Sequence, residues 1–157
     1  MAQFLGTYQN KLDAKGRVSI PASFRAVLKQ MSSVGEGSLV APLVLRPSHQ
    51  YPCIEGWTLK GFEALSEPLE GYSQFSKERS DFAIALFGDA VSVETDREGR
   101  IMLSADMVAH AGISDSISFI GASNTFEIWE PAAGARRLAE AKAAVLAANL
   151  TLRAGSS

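Results

Sequence analysis

Residues 13–21 read D-A-K-G-R-V-S-I-P, and residues 96–104 read D-R-E-G-R-I-M-L-S. The two stretches align without gaps: Asp13 with Asp96, Gly16 with Gly99, Arg17 with Arg100, Val18 with Ile101, Ile20 with Leu103 and Ala22 with Ala105. A second match follows, I-E-G-W ending at Trp57 against F-E-I-W ending at Trp129. The offset falls from 83 to 72, so the first copy holds eleven extra residues, and the Gly/Ser-rich stretch Ser32–Ser38 is their natural place. A unit written twice implies two similar halves packed together.

Each copy reads strand, turn, strand, short helix, strand, strand. Val18 and Ile20 alternate with Ser19, the period of a half-buried strand. Pro21 then introduces a helix, A-S-F-R-A-V-L-K, with Phe24, Val27 and Leu28 on one face. In the second copy Ser104 is positioned to cap A-D-M-V-A-H-A, and Gly112 to stop it. The stretches L-V-A-P-L-V-L and C-I-E-G-W-T, and later I-S-F-I-G and T-F-E-I-W, read as strands. Between the halves Phe75, Arg79, Phe82 and Leu86 recur at helical spacing, and a last helix is expected from about Pro131. The division that follows is a first repeat at 7–61, a connecting helical segment at 62–89, a second repeat at 90–133 and a C-terminal helix and tail at 134–157.

An Asp opening a turn can accept hydrogen bonds from amides two or three residues on, and a Gly three residues later supplies positive φ. The Arg after that Gly can pair with the Asp or project outward. A well-made turn therefore explains Asp13, Gly16, Asp96 and Gly99 as turn-organising residues. It does not explain the charges. Residues 11–17 carry Lys11, Asp13, Lys15 and Arg17, a net +2, whereas residues 94–100 carry Glu94, Asp96, Arg97, Glu98 and Arg100, a net -1. Folding needs the turn twice, but a phosphate backbone favours only the first copy.

The chain has 157 residues, with 46% hydrophobic and 20% charged, the profile of a globular protein large enough to bury a core. The longest apolar runs, such as Phe82–Gly88, fall well short of a membrane span. The start, M-A-Q-F-L-G-T-Y, lacks the basic-then-apolar pattern of a signal peptide, and the single cysteine, Cys53, fits a reducing cytoplasm. A net charge of -2 argues at first sight against nucleic acid. Its distribution argues the other way, because residues 1–30 hold five cations and one acid while the remainder is acidic. A basic patch on an acidic body concentrates a polyanion at one face. Tight binding needs many neutralised phosphates, which a symmetric oligomer repeating the patch would provide.

F-L-G-T-Y near the start, N-K-L-D-A-K-G-R-V-S-I-P-A-S-F-R, the second D-R-E-G-R-I and W-E-P at Trp129 together resemble the MraZ family. These are bacterial transcriptional regulators made of two SpoVT/AbrB-like halves, and the resemblance covers roughly residues 4–145. It implies an α+β fold, with a pseudo-two-fold repeat of AbrB-like β-hairpin units forming a small mixed barrel, short helices and a C-terminal helix. It also implies a ring-shaped homo-oligomer that binds double-stranded DNA at short direct repeats upstream of the division and cell-wall gene cluster, its own promoter included, and represses it. Localisation would be cytoplasmic and nucleoid-associated. Carried onto this chain, Arg17 and Arg100 face the DNA with Lys15 and Lys11 nearby, and Asp13 and Asp96 are the arginines' partners. Glu98 in the second turn sets that copy apart.

No enzymatic activity, cofactor, metal or small-molecule substrate is expected. Cys53 lies near His49 in H-Q-Y-P-C, a pair that could suggest a nucleophile or a metal, but no third ligand is close in sequence. Trp57 and Trp129 occupy equivalent positions and read as core anchors, the Phe75/Phe82 stripe as core or subunit contact. Leu138, Val145 and Leu152 recur every seven residues on the last helix, where Arg136 and Arg137 read as solvated and the tail A-G-S-S as frayed. The alternative function is a ring-forming protein-interaction module whose basic patch is incidental.

Overall fold

The first D-x-x-G-R turn joins β1 (Thr7–Lys11) to β2 (Arg17–Ser19), and the second joins β5 (Val91–Glu94) to β6 (Arg100–Met102). These assignments come from a computed structural model that describes residues 2–32, 34 and 37–149. The first copy continues through α1 (Ala22–Gln30), β3 (Pro42–Pro47) and β4 (Ile54–Trp57). The second runs through α4 (Ala105–Ala111), β7 (Ser116–Gly121), β8 (Thr125–Trp129) and α5 (Pro131–Ala147). Between the copies lie α2 (Leu59–Glu63), a 3-10 segment (Ala64–Gly71) and α3 (Lys77–Phe87). The fold is α+β.

Local chemistry sets the helix ends. Ser104 Oγ accepts from the Met107 amide, and Gly112 adopts φ +62 to end α4. Pro131 opens α5, with the Glu130 carboxylate accepting from the Ala132 and Ala133 amides. Ser76 caps α3, so Phe75 stands outside that helix rather than on its face. The connection between α1 and β3 spans Met31–Ala41, where its counterpart is only Gly112–Asp115, so much of the extra length of the first copy falls there. Ser33, Gly35 and Glu36 of that connection, Leu152 and the tail Ala154–Ser157 lie outside the described residues.

Strand pairing crosses the repeats. The main sheet has six strands in the order β1-β7-β8-β4-β3-β5, and β2 pairs with β6 in a separate two-stranded ribbon. Exchanging each strand for its counterpart reverses this order onto itself, so a pseudo-dyad runs between β8 and β4 and through the ribbon. Each copy gives its first strand to the other's hairpin: β1 adds to β7, and β5 adds to β3.

The expected mixed barrel is not what forms. Every ladder is antiparallel, and the sheet is open, with β1 and β5 as its edges. The reason is the turn. After Leu12, whose amide still donates to the Asp115 carbonyl, the chain leaves the sheet; among the described residues β2 has only β6 as a strand partner, and no strand joins the two edges.

The ribbon, α1 and α4 cover one face of the sheet. Val18, Ile20, Ile101 and Leu103 meet Phe24, Leu43, Leu45, Ile54, Ile117 and Ile128 in one buried cluster. At its centre Phe24 and Phe126 lie 5.2 Å apart, with Phe4 edge-on to both. Such aromatic pairs add about 0.5–1.5 kcal/mol each beyond the area they bury. Across the dyad, Phe126 stands opposite Gly56, which leaves room for its ring.

The other face carries α2, α3 and α5. The Trp57 and Trp129 indoles donate to Glu55 and Glu127, each two residues earlier, and Trp129 is buried while Trp57 is half-buried. Buried Arg46 pairs with Glu55 at 2.6 Å. Arg137 is not simply solvated: its guanidinium sits 4.3 Å from the Tyr51 ring centroid. Phe75 is 96% exposed and Ile84 68%, so the middle segment buries Leu69 but presents these apolar side chains outward. No helix among the described residues is long and apolar enough to cross a membrane.

Candidate nucleic-acid interface

Both turns are built identically. In the first, the Gly16 amide donates to the Asp13 carbonyl, the Asp13 amide donates to the Arg17 carbonyl, and Gly16 takes φ +83. Asp13 Oδ1 accepts from the Lys15 and Arg17 amides, and Oδ2 accepts from Arg17 Nε at 2.8 Å. In the second, Gly99 takes φ +81, Asp96 Oδ1 accepts from the Glu98 and Arg100 amides, and Oδ2 accepts from Arg100 Nε at 2.9 Å. The carboxylate therefore reaches two and four residues ahead, and each arginine folds back onto its own Asp.

The Arg17 amide, with help from its guanidinium and the Lys15 amide, holds the Asp13 carboxyl below the ordinary carboxylate range. The Arg100 amide leads the same effect at Asp96. With two amides committed to the Asp carboxylate and the glycine amide to the Asp carbonyl, each turn offers little backbone to an incoming phosphate. Recognition of an anion here falls to side chains.

The structure brings the two turns together. In the ribbon Arg17 registers with Met102 and Ser19 with Arg100. The Ile20 amide donates to the Gly99 carbonyl at 2.9 Å, and the Leu103 amide donates to the Gly16 carbonyl at 2.8 Å. Asn10 Nδ2 adds a bond to the Ser19 carbonyl at 2.7 Å. The turns are close enough for Asp13 to join Asp96 and Glu98 in raising the pKa of Arg100.

Exposure does not separate the copies, since the Arg17 side chain is 32% exposed and Arg100 31%. Charge pairing does. Arg100 Nη2 is taken by Glu98, so that guanidinium serves two carboxylates. Arg17 uses only Nε, and among the described residues its two Nη groups have no protein acceptor. Lys15 is exposed in the turn and Lys11 exposed at the end of β1, and neither enters an ion pair among the described residues. Under the repeat alignment Lys11 becomes Glu94 and Lys15 becomes Glu98. The pseudo-dyad thus sets a basic turn beside a self-neutralised one.

Comparison with known proteins gives the family of the chain. The family model described as "MraZ protein, putative antitoxin-like" matches residues 3–83 and 86–152, two segments that meet within α3. The chain belongs to the MraZ family. A transcriptional regulator MraZ of Gluconacetobacter diazotrophicus is 55% identical over 142 residues, covering 90% of this chain and 87% of the relative. One of Gluconobacter oxydans is 51% identical over 138 residues, covering 87% and 81%. One of Pelagibacter ubique is 40% identical over 130 residues, covering 83% and 79%.

Other conspicuous residues of this MraZ-family chain fall elsewhere. Cys53 is fully buried, and burial, with Glu127 and Glu55 nearby, pushes its thiol up to about 12. His49 Nδ1 faces Arg46 at 3.3 Å, and His110 faces the Tyr51 carbonyl. Among the described residues no three His, Cys, Asp or Glu side chains are placed to hold a metal. Sequence reasoning gave no role to Arg25, which packs over the second turn; only its positive charge and its place in I-P-A-S-F-R marked it.

Proposed function

We propose that this MraZ-family chain is a sequence-specific DNA-binding transcriptional regulator that contacts duplex DNA through its first turn. Lys11, Lys15 and Arg17 supply the contacts, and the second turn, Arg100 included, acts as scaffold. The observation that carries this reading is the difference between the two arginines, one paired with both Asp96 and Glu98 and the other with Asp13 alone, its two Nη groups open among the described residues. A guanidinium in that state can donate two bonds to a phosphate or to a guanine edge. The names of the relatives support the regulatory part.

The finer reading is a repressor of the division and cell-wall gene cluster, acting at direct repeats near its own promoter, in the cytoplasm and on the nucleoid. In it the SpoVT/AbrB-like repeats at 7–61 and 90–133 recur around a ring-shaped homo-oligomer larger than a dimer. The exposed Phe75, Phe82 and Ile84 support such assembly, because one small body leaves them uncovered. The test is a binding titration with the chain's own upstream DNA, with oligomer size measured by sedimentation for each variant. Arg17→Ala is expected to abolish specific binding in a folded oligomer, while Arg100→Ala lowers stability and leaves DNA affinity nearly unchanged. Loss of DNA binding by Arg100→Ala alone would overturn the division of roles. An oligomer whose partner binding ignores salt would favour the protein-interaction reading instead.

A further inference from the structure

Arg25 stands on α1 of the first copy, yet its guanidinium lies on the turn of the second. Nη1 donates to the Ile20 carbonyl at 2.5 Å. A Cβ built on Gly99 would fall 2.5 Å from Arg25 Nη1, 2.7 Å from Cζ and 2.8 Å from Cδ, so the side chain covers the bare glycine along much of its length. The Ile20 amide in turn donates to the Gly99 carbonyl. Three groups therefore close on one another: Arg25 holds Ile20, Ile20 holds Gly99, and Gly99 is the surface on which Arg25 rests.

The pseudo-dyad provides the control. The counterpart of Arg25 is Val108, and the counterpart of Gly99 is Gly16. The equivalent main-chain bond, from the Leu103 amide to the Gly16 carbonyl, is present, but a Cβ on Gly16 would meet only the Leu103 carbonyl, at 3.0 Å. Among the described residues no guanidinium covers that glycine. The ribbon is thus clamped at the acidic turn, while the basic turn beside it is left uncovered.

We propose that Arg25 is a positioning residue for DNA recognition, locking the second turn against α1 so that the ribbon presents Arg17 and Lys15 at a fixed height. This rests on the DNA-binding function proposed above. Arg25 acts through Gly99 and Ile20: Nη1 donates to a main-chain carbonyl, and the side chain lies along the glycine. A two-stranded ribbon is weakly stable by itself, so a single side-chain clamp can decide its tilt. Lysine cannot replace it, because an ammonium lacks the planar fork that lies flat on the glycine and reaches the carbonyl together.

Two measurements on Arg25→Lys and Arg25→Val test the clamp. The first is amide hydrogen exchange in the full chain without DNA. Loss of a charge-assisted bond is expected to speed exchange at the Ile20 amide roughly ten-fold in both variants while leaving Leu103 unchanged. Equal effects at the two amides, or none at Ile20, would overturn the clamp. The second is a DNA titration at several salt concentrations. A positioning role predicts roughly ten-fold weaker specific binding for both variants with the wild-type salt slope. Wild-type affinity for Arg25→Lys would reduce Arg25 to a source of charge. A slope shallower by about 0.9 per engaged protomer in Arg25→Val alone would make it a phosphate ligand. Should the unaltered chain bind no upstream DNA, the functional reading fails, whereas the exchange comparison still decides the clamp.

Discussion

Lys15→Ala isolates the electrostatic part of the interface, because Lys15 is exposed, enters no ion pair among the described residues and makes only a main-chain bond to Asp13. On duplex DNA the logarithm of affinity falls with the logarithm of salt by about 0.9 for each neutralised phosphate. If Lys11, Lys15 and Arg17 each meet one phosphate, a single engaged protomer gives a slope near -2.7, roughly a forty-fold loss over a four-fold rise in salt. Removing Lys15 brings the slope to about -1.8 and the loss to roughly twelve-fold. With several protomers on one operator the change multiplies by their number, so the same titration counts engaged turns. The assay is fluorescence anisotropy with labelled upstream DNA between about 50 and 200 mM salt, a roughly four-fold range of concentration. Asp13 remains charged throughout, and the amide that caps it is kept, so stability should not move. An unchanged slope in Lys15→Ala, or a shallower one in Arg97→Ala, would refute the assignment of phosphate contacts to the first turn.

Three further outcomes follow from the geometry. Asp13 and Asp96 carry depressed folded pKa values, so their stabilisation is complete above the unfolded carboxylate value and is lost as pH falls through the lower folded one. Denaturation midpoints should stay level from about pH 7 to 5 and drop below about pH 4. Asn at both positions should flatten that acid limb, with Glu130 retaining part of it, and should cost less than Ala because the amide oxygen still accepts from the turn. Gly56→Ala should lower stability by about 2–3 kcal/mol in urea denaturation, since the new methyl overlaps the Phe126 ring, itself pinned by Phe4 and Phe24. A loss below about 0.5 kcal/mol would mean that the ring yields easily. Cys53 should resist a thiol reagent at pH 8 in the native protein and react at once in denaturant, because its thiol is buried and its pKa pushed up to about 12; rapid native labelling would place it at a surface.

Residue order is enough for every feature that depends on neighbours along the chain. The repeat, the D-x-x-G-R turn with its left-handed glycine, the Ser104 and Pro131 helix starts and the surplus charge of the first copy are all legible because their hydrogen bonds close within about five residues. Helical spacing places Phe75 on the face of α3 because spacing registers periodicity alone, whereas the Ser76 cap, which starts the helix one residue after Phe75, is a hydrogen-bonding detail. Tertiary structure alone decided which strands meet. Two equivalent copies can pair within themselves or across, and the hydrophobic period is the same either way. Only the packing of both copies on one core sent β1 to β7, β5 to β3 and β2 to β6, leaving an open sheet where a barrel was expected. That crossing is also what set the two turns side by side and carried Arg25 onto Gly99. Residues 74 positions apart in the chain are in contact for a reason no local pattern records: strand pairing is selected by the burial of the whole core, not by the segment that pairs.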